Sequence, residues 1–364
     1  MNTPLDLFDR YLSEAGPTAL VIREPLMPVE GKDGVLFPPT YAASEDGKFK
    51  GGYNIDELGN GKNVCLIDSV GSQANRIEPI FGHPGYQELV PQITIKAGEK
   101  TISLLDAGHR AGDAIVRCSS LQEELQDAFK AVLRGDCLPL AKIAPTSLVF
   151  GAWDSRGTQA KLPRLLASTV RAYDVHRLTR SAQFVPAAAY VEEGILQEPA
   201  DKKEKDAYAE RGFAHVPASA APGGVIATGG IRRDATLHLA ALRLLRAAGE
   251  QAVEQTLVLQ RYILGLALTA FTLPAGGYLR QGCNLVRDPD QAWEFVEVQR
   301  DGTRIPLTLT HEQALDYAAE TAKAFQVGKN REVPFEVERA NKDLAGGEKP
   351  AKAKGGKGGA KKAQ

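Results

Sequence analysis

The chain has 364 residues, 43% of them hydrophobic, enough to bury one large decorated domain or two ordinary ones. Its 44 Lys and Arg stand against 45 Asp and Glu for a formal net charge of -1, which excludes a generally basic, histone-like nucleic-acid binder, so any polyanion site has to be local. Four cysteines, Cys65, Cys118, Cys137 and Cys283, lie far apart with no Cys-x-x-Cys pair; they signal neither a zinc ribbon nor a disulfide framework, and a reducing cytoplasm fits them.

The N-terminal stretch MNTPLDLFDRYLSEAG carries acids among its apolar residues and lacks the basic flank and unbroken apolar run of a signal peptide. Residues 42–63, AASEDGKFKGGYNIDELGNGKN, are rich in Gly, Lys and Asn with Phe49 and Tyr53 isolated among them, which suits a projecting hairpin or loop. In CLIDSVGSQANRIEP, residues 65–79, Ser69 can cap a helix that places Ser72, Gln73 and Arg76 on one side and Val70, Ala74 and Ile77 on the other. Ser, Gln and Arg are the side chains that contact phosphate and ribose hydroxyls. Asp68, just before them, reads as a capping or Arg-orienting carboxylate, with a catalytic acid as the other possibility.

LLDAGHRAGDAIVR, residues 104–117, gathers Asp106, His109, Arg110, Asp113 and Arg117. Such a set could hold a metal or supply a general base, but no His-Glu-x-x-His or equivalent pair fixes two ligands on one helical turn. Ser120-Leu-Gln-Glu123 has the form of a capping box before an apolar face of Leu121, Leu125, Ala128 and Val132 that Gly135 ends. Strand character shows in 64–67, 89–95, 147–153, 225–228 and 292–298, in an order without regular strand-helix alternation, which favours α+β over a doubly wound sheet.

After 147–153 the chain breaks at Asp154-Ser155-Arg156-Gly157. Pro163 suits the first turn of a helix on which Arg164, Ser168 and Arg171 share a face, and with Arg156 and Lys161 in the preceding loop this spacing matches a phosphate-backbone track. Residues 201–211, with four acids and four bases, read as a solvated extension. In GGVIATGGIRRDATL, residues 223–237, a strand runs through Gly229-Gly230 into Arg232-Arg233 and a helix start capped by Asp234, where backbone N–H groups and guanidiniums could receive an anion. The Lys-Ser/Thr pair of a P-loop is missing. The apolar run 262–273 is too short to span a bilayer, which takes roughly 20 residues. Arg280 and Gln281 in LRQGCNLV echo the Arg-and-Gly loops, Thr310-His-Glu-Gln313 is a second capping box, and the six lysines of KPAKAKGGKGGAKKAQ from Lys349 onward have no acid among them and little to bury. Several Arg-bearing loops in a nearly neutral chain, with no convincing nucleophile or cofactor loop, point to an extended polyanion that is bound rather than transformed.

The segments CLIDSVGSQANRIEP, LVPQI, LLDAGHRAGDAIVR, APTSLVFGAWDSRGTQAKLPRLLASTVRAYDV, GGVIATGGIRRDA and LRQGCNLV resemble, in this order, the CRISPR-associated RAMP backbone subunit of type I-G (formerly I-U) Cascade. The resemblance runs from about residue 25 to HEQALDYAAETAKAFQV. It implies an α+β fold with a ferredoxin-like, RRM-related palm, residues 1–338, carrying finger and thumb insertions at about 42–63 and 190–222; the basic stretch 339–364 lies outside the resemblance, and its composition alone reads as a disordered tail. The resemblance also implies a helical filament of copies along one CRISPR RNA, with other Cascade subunits as partners and target DNA reached through the guide.

Through its motifs the resemblance assigns guide contact to Ser72, Gln73 and Arg76, to His109 and Arg110, and to Arg156, Lys161 and Arg164; Arg171, Arg232, Arg233 and Arg280 complete the expected RNA-binding set. Catalysis, a cofactor, a metal and a membrane are not expected. The alternative is a metal-dependent endoribonuclease on the same fold, centred on Asp106, His109 and Asp113.

Overall fold

The computed structural model describes residues 4–274 and 276–345, and its fold is mixed α+β, as expected. A nine-stranded sheet runs in the order Tyr278–Arg280, Cys283–Arg287, Ala19–Pro28, Ile231–His238, Leu166–Tyr173, Lys62–Asp68, Ile55–Gly59. Glu294–Val298 pairs with the first half of Ala19–Pro28, Arg304–Pro306 follows it, and every pair in the sheet is antiparallel.

One face of the central strands builds two cores in succession. Leu20 and Ile22, Leu237 and Ala235, and Leu166 join the larger one, beneath the helices Ala252–Thr272 and His311–Phe325. Four residues further along each strand, Leu26, Ile231, Val170 and Ala172 join a smaller one with Ile67, Leu36, Val225 and Leu285. The positions between are Glu24, Arg233 and Ser168, all buried. Because side chains on one face recur every second residue, these three form a polar belt separating the cores. The apolar run 262–273 is the buried part of the Ala252–Thr272 helix, where Tyr262 stacks on Phe325 with ring centroids 4.3 Å apart. Among the described residues no helix is long and apolar enough to cross a membrane.

Several expectations hold. Ser69 caps the Val70–Ile77 helix, and Thr310 and Gln313 form a reciprocal capping box. The 64–67 run is strand throughout, 292–298 is strand from Glu294 onward, and 225–228 largely is. Residues 201–211 hold an exposed helix, Lys202–Glu210, carried beyond a long ribbon of Val175–Phe184 and Val216–Ala227.

Others are corrected. No helix follows Pro163: Leu166–Tyr173 is a strand with strictly alternating burial, so Ser168 and Arg171 point to opposite faces of the sheet. The β-branched Thr169 and Val170 and the alternation of Leu166, Ser168, Val170 and Ala172 fit the pleat better than the helical spacing of three polar residues. Asp234 caps no helix, since Ile231–His238 is a strand too. The 147–153 run is a buried helix, Thr146–Phe150, which ends at Gly151 with φ 78° before the strand Ala152–Trp153; that positive φ is one a glycine adopts freely. Gln122–Leu133 starts without a capping box: its first residue is preceded by Leu121, and Ser119, not Ser120, accepts from the Leu121 N–H. The 89–95 strand is Ile93–Ala97.

Residues 42–63 contribute a hairpin, Ile55–Gly59 with Lys62–Asp68, that extends the sheet. Tyr53 is no projecting tip, because it is buried and its hydroxyl accepts from the Gly224 N–H at 2.9 Å. Val337–Ala345 is helical, and it covers the first residues of the span expected as a tail; the lysine-rich part, from 349, lies outside the described residues.

Candidate nucleic-acid interface

The Lys62–Asp68 strand delivers Asp68 to the start of the Val70–Ile77 helix, with the side chain 1% exposed. Its Oδ1 accepts from Ser72 Oγ at 2.8 Å and from Arg280 Nη2 at 3.0 Å. Its Oδ2 accepts from Gln73 Nε2 at 2.7 Å and from Arg76 Nε at 3.2 Å, and Gln73 Oε1 accepts from Ser168 Oγ at 2.9 Å. Four of the residues expected on RNA are thus gathered around one buried carboxylate, the Arg-orienting role read for Asp68. Gln73 is enclosed, whereas Arg76 and Arg280 keep part of their guanidiniums open, their side chains 39% and 24% exposed.

Arg110 has a different place from the one expected. It is 3% exposed, so its role is to position other groups rather than to touch a ligand. Its Nε lies 2.5 Å from Glu78 Oε2, Nη2 donates to Asn75 Oδ1 at 3.2 Å, and Nη1 donates to the Gly151 carbonyl at 3.3 Å. One guanidinium therefore joins the SQANR segment, the DAGHR segment and the start of GAWDSRG. Burial pushes the Glu78 carboxyl up to about 7 while Arg110 pulls the other way, and burial holds Arg110 below the ordinary range of an arginine.

Arg110 thereby anchors a small hairpin in which Ala152–Trp153 pairs with Lys161–Leu162. Inside it Asp154 is buried and accepts from the Gly157 N–H at 3.1 Å, the Thr158 N–H at 2.6 Å and Thr158 Oγ1 at 2.8 Å. Gly112 lies against the hairpin so closely that a Cβ there would stand 2.7 Å from the Trp153 carbonyl oxygen. With its backbone pinned, the hairpin turns Trp153, Arg156, Lys161 and Arg164 to solvent. Arg164 reaches over the first turn of the capped helix: its Nη2 is 4.0 Å from the Cβ position of Gly71. Among the described residues Arg156, Lys161 and Arg164 have no carboxylate partner. His109, in the DAGHR motif, is exposed, its Nδ1 3.5 Å from Asp113 Oδ2.

The remaining expected residues are elsewhere. Arg171 is on the opposite, open face of the sheet, donating to Thr169 Oγ1 at 2.7 Å, directly across from Arg232. Arg232 is held by Asp234 at 2.8 Å and by the Tyr173 hydroxyl at 2.9 Å. Arg233 faces the polar belt and donates to Glu24 at 2.7 Å, and Arg287 joins the same carboxylate at 3.0 Å. The expected anion site at a helix start after Gly229-Gly230 is thus absent, because a strand takes its place and both arginines are paired. Asp113 caps the Ala114–Arg117 helix through the Ile115 N–H, and among the described residues no three His, Cys, Asp or Glu gather at metal-binding distance.

Beside the belt opens a cleft of about 740 Å³ lined by Gln73, Arg76, Arg233, Arg287 and Tyr278. Burial works against the charge of Glu24 on its wall, but Arg233 and Arg287 hold its carboxyl below the usual carboxylate range. A folded-state value below the ordinary 4.5 means that this stabilisation is present above that pH and is lost as pH falls through the folded value. Calorimetric melts of wild type and Glu24→Gln should therefore converge as pH is lowered below about 4.5; a gap in melting temperature that stays constant down to pH 3 would contradict the assignment.

Sequence reasoning missed Trp153, Asp154 and Glu78. Trp153 and Asp154 stand at the break in the apolar run and carried a signal that was legible there; Glu78 had none, since its partner is 32 positions away in the chain.

No curated protein matches the chain. Residues 20–177, which contain the SQANR, DAGHR and DSRGTQAKLPR motifs, match the family model of CRISPR-associated protein GSU0053, and this match supports reading the chain as a CRISPR-associated subunit.

Proposed function

We propose that the protein is a guide-RNA-binding backbone subunit of a DNA-targeting surveillance complex of type I-G Cascade, gripping CRISPR RNA by its backbone without cutting it and assembling in copies along the strand with other Cascade subunits. The observation that carries the reading is the convergence of three separated motifs, through Arg110, on a pinned hairpin whose Arg156, Lys161 and Arg164 have no counter-charge among the described residues. Unpaired cations on a fixed backbone are what a phosphate track requires. The strand order Glu294–Val298, Ala19–Pro28, Ile231–His238, Leu166–Tyr173, with helices in the first and last connections, is that of a βαββαβ unit and supports the ferredoxin-like palm. The ribbon of Val175–Phe184 and Val216–Ala227 suits the thumb, and the stretch 40–63 the finger.

Anisotropy of labelled CRISPR RNA titrated with purified protein tests this reading. Affinity should fall steeply with salt, at a log-log slope of roughly -0.7 per phosphate contact, and Arg164→Ala should make the slope shallower by about one contact for all guide sequences alike. Absence of binding at low salt would overturn the reading. Divalent-dependent cleavage of the RNA, lost in Asp113→Ala, would overturn its non-catalytic part.

A further inference from the structure

We propose that Trp153 is a stacking platform for one unpaired nucleobase of the bound strand, a step that rests on the RNA-binding reading above. Trp153 is 55% exposed, a large apolar area left open on a segment whose backbone is fixed by the Trp153–Lys161 strand pair, by the three hydrogen bonds of Asp154 and by contact with Gly112. A ring that is already held in place loses little freedom when a ligand covers it.

The surroundings select the ligand. Lys161 Nζ stands 5.8 Å from the ring centroid, and Arg156 and Arg164 are exposed on the same short segment without carboxylate partners among the described residues. A protein partner for Trp153 would have to bring apolar surface and acids together; a nucleotide brings a π-face and a phosphate in one unit. Base-aromatic stacking beside a cationic track is how single strands are held without sequence preference. The other tryptophan is differently placed, with the Arg287 guanidinium 4.3 Å from its ring centroid and Phe295 at 5.8 Å.

Because the chain has two tryptophans, Trp293→Phe leaves Trp153 as the only indole. Oligouridine should quench the fluorescence of Trp293→Phe protein, and should leave that of Trp153→Phe protein unchanged. Trp153→Ala should weaken oligouridine binding by about 5- to 150-fold while its salt slope stays that of wild type, because stacking is lost and phosphate contacts are kept. Trp153→Phe should retain part of the affinity, and unchanged melting curves show that both variants fold. Unquenched Trp153 in a protein that anisotropy shows to be saturated with oligouridine overturns the stacking platform and leaves RNA binding standing. No anisotropy change at all sinks both. A shift of the Trp153 emission that depends on protein concentration without RNA overturns the proposal in favour of a docking face for a second copy of the chain.

Discussion

Arg110→Ala is expected to cost about 3–5 kcal/mol of stability, the largest effect of any single substitution considered for this protein. The substitution strands the Glu78 carboxylate, whose side chain is 1% exposed, with no counter-charge, and it also releases Asn75 and the Gly151 carbonyl. Removing one partner of a buried ion pair is far more damaging than replacing both, because the survivor keeps its desolvation cost. Glu78→Gln combined with Arg110→Met should therefore be more stable than Arg110→Ala alone. Urea denaturation of the two variants measures this, and equal midpoints would show that Arg110 is not compensating a buried charge.

The sign of the pH dependence follows from Glu78. Its folded-state value is raised, to about 7 with Arg110 present, so a proton is bound more readily in the folded protein than in the unfolded chain. Without Arg110 the carboxyl takes up that proton more readily still. The destabilisation by Arg110→Ala should thus grow as pH rises above about 7 and level off at a smaller value below it. A loss that is independent of pH between 5 and 8 would mean that Glu78 is not the group left unpaired.

The second large effect is on binding. Replacing Arg156, Lys161 and Arg164 together by Ala should lower affinity for CRISPR RNA by about 100-fold at 0.1 M salt and make the log-log salt slope shallower by about 2, three contacts at roughly 0.7 each. The loss should be the same for unrelated guide sequences, since phosphates carry no sequence information. All three side chains are exposed and, among the described residues, without ion-pair partners, so stability should stay within about 0.5 kcal/mol of wild type. Filter binding across a salt series reads both numbers. An affinity within threefold of wild type would move the RNA to another surface, for which the cleft beside Tyr278 and Arg287 is the next place to look.

The parts of this molecule that were legible in its sequence are those governed by local chemistry. The Ser69 cap and the Thr310/Gln313 box depend on residues within three positions of each other, and both form. The cationic break at 154–164 could be read because Arg156, Lys161 and Arg164 lie within nine positions with one acid, Asp154, beside them. Illegible were the features that depend on distant pairing. The Leu166–Tyr173 segment reads equally as a helix with a polar face or as an alternating strand, and its pairing with Ile231–His238 and Lys62–Asp68 decides between them. Arg110 and Arg233 look like surface cations until Glu78 and Glu24, 32 and 209 positions away, are brought against them. An arginine in a motif is equally a ligand contact or a structural tie, and only the position of its carboxylate tells which.

The proposed function requires that three motifs meet in a single surface that holds single-stranded RNA. Photo-crosslinking with CRISPR RNA carrying 4-thiouridine, followed by mass spectrometry of the crosslinked peptides, tests it most directly. Crosslinks should fall on the exposed side chains of 153–164 and on His109 and Arg76, and should be absent from the buried Arg110 and Arg233. Crosslinks confined to the open sheet face around Arg171 and Tyr173, with none in 153–164, would contradict it.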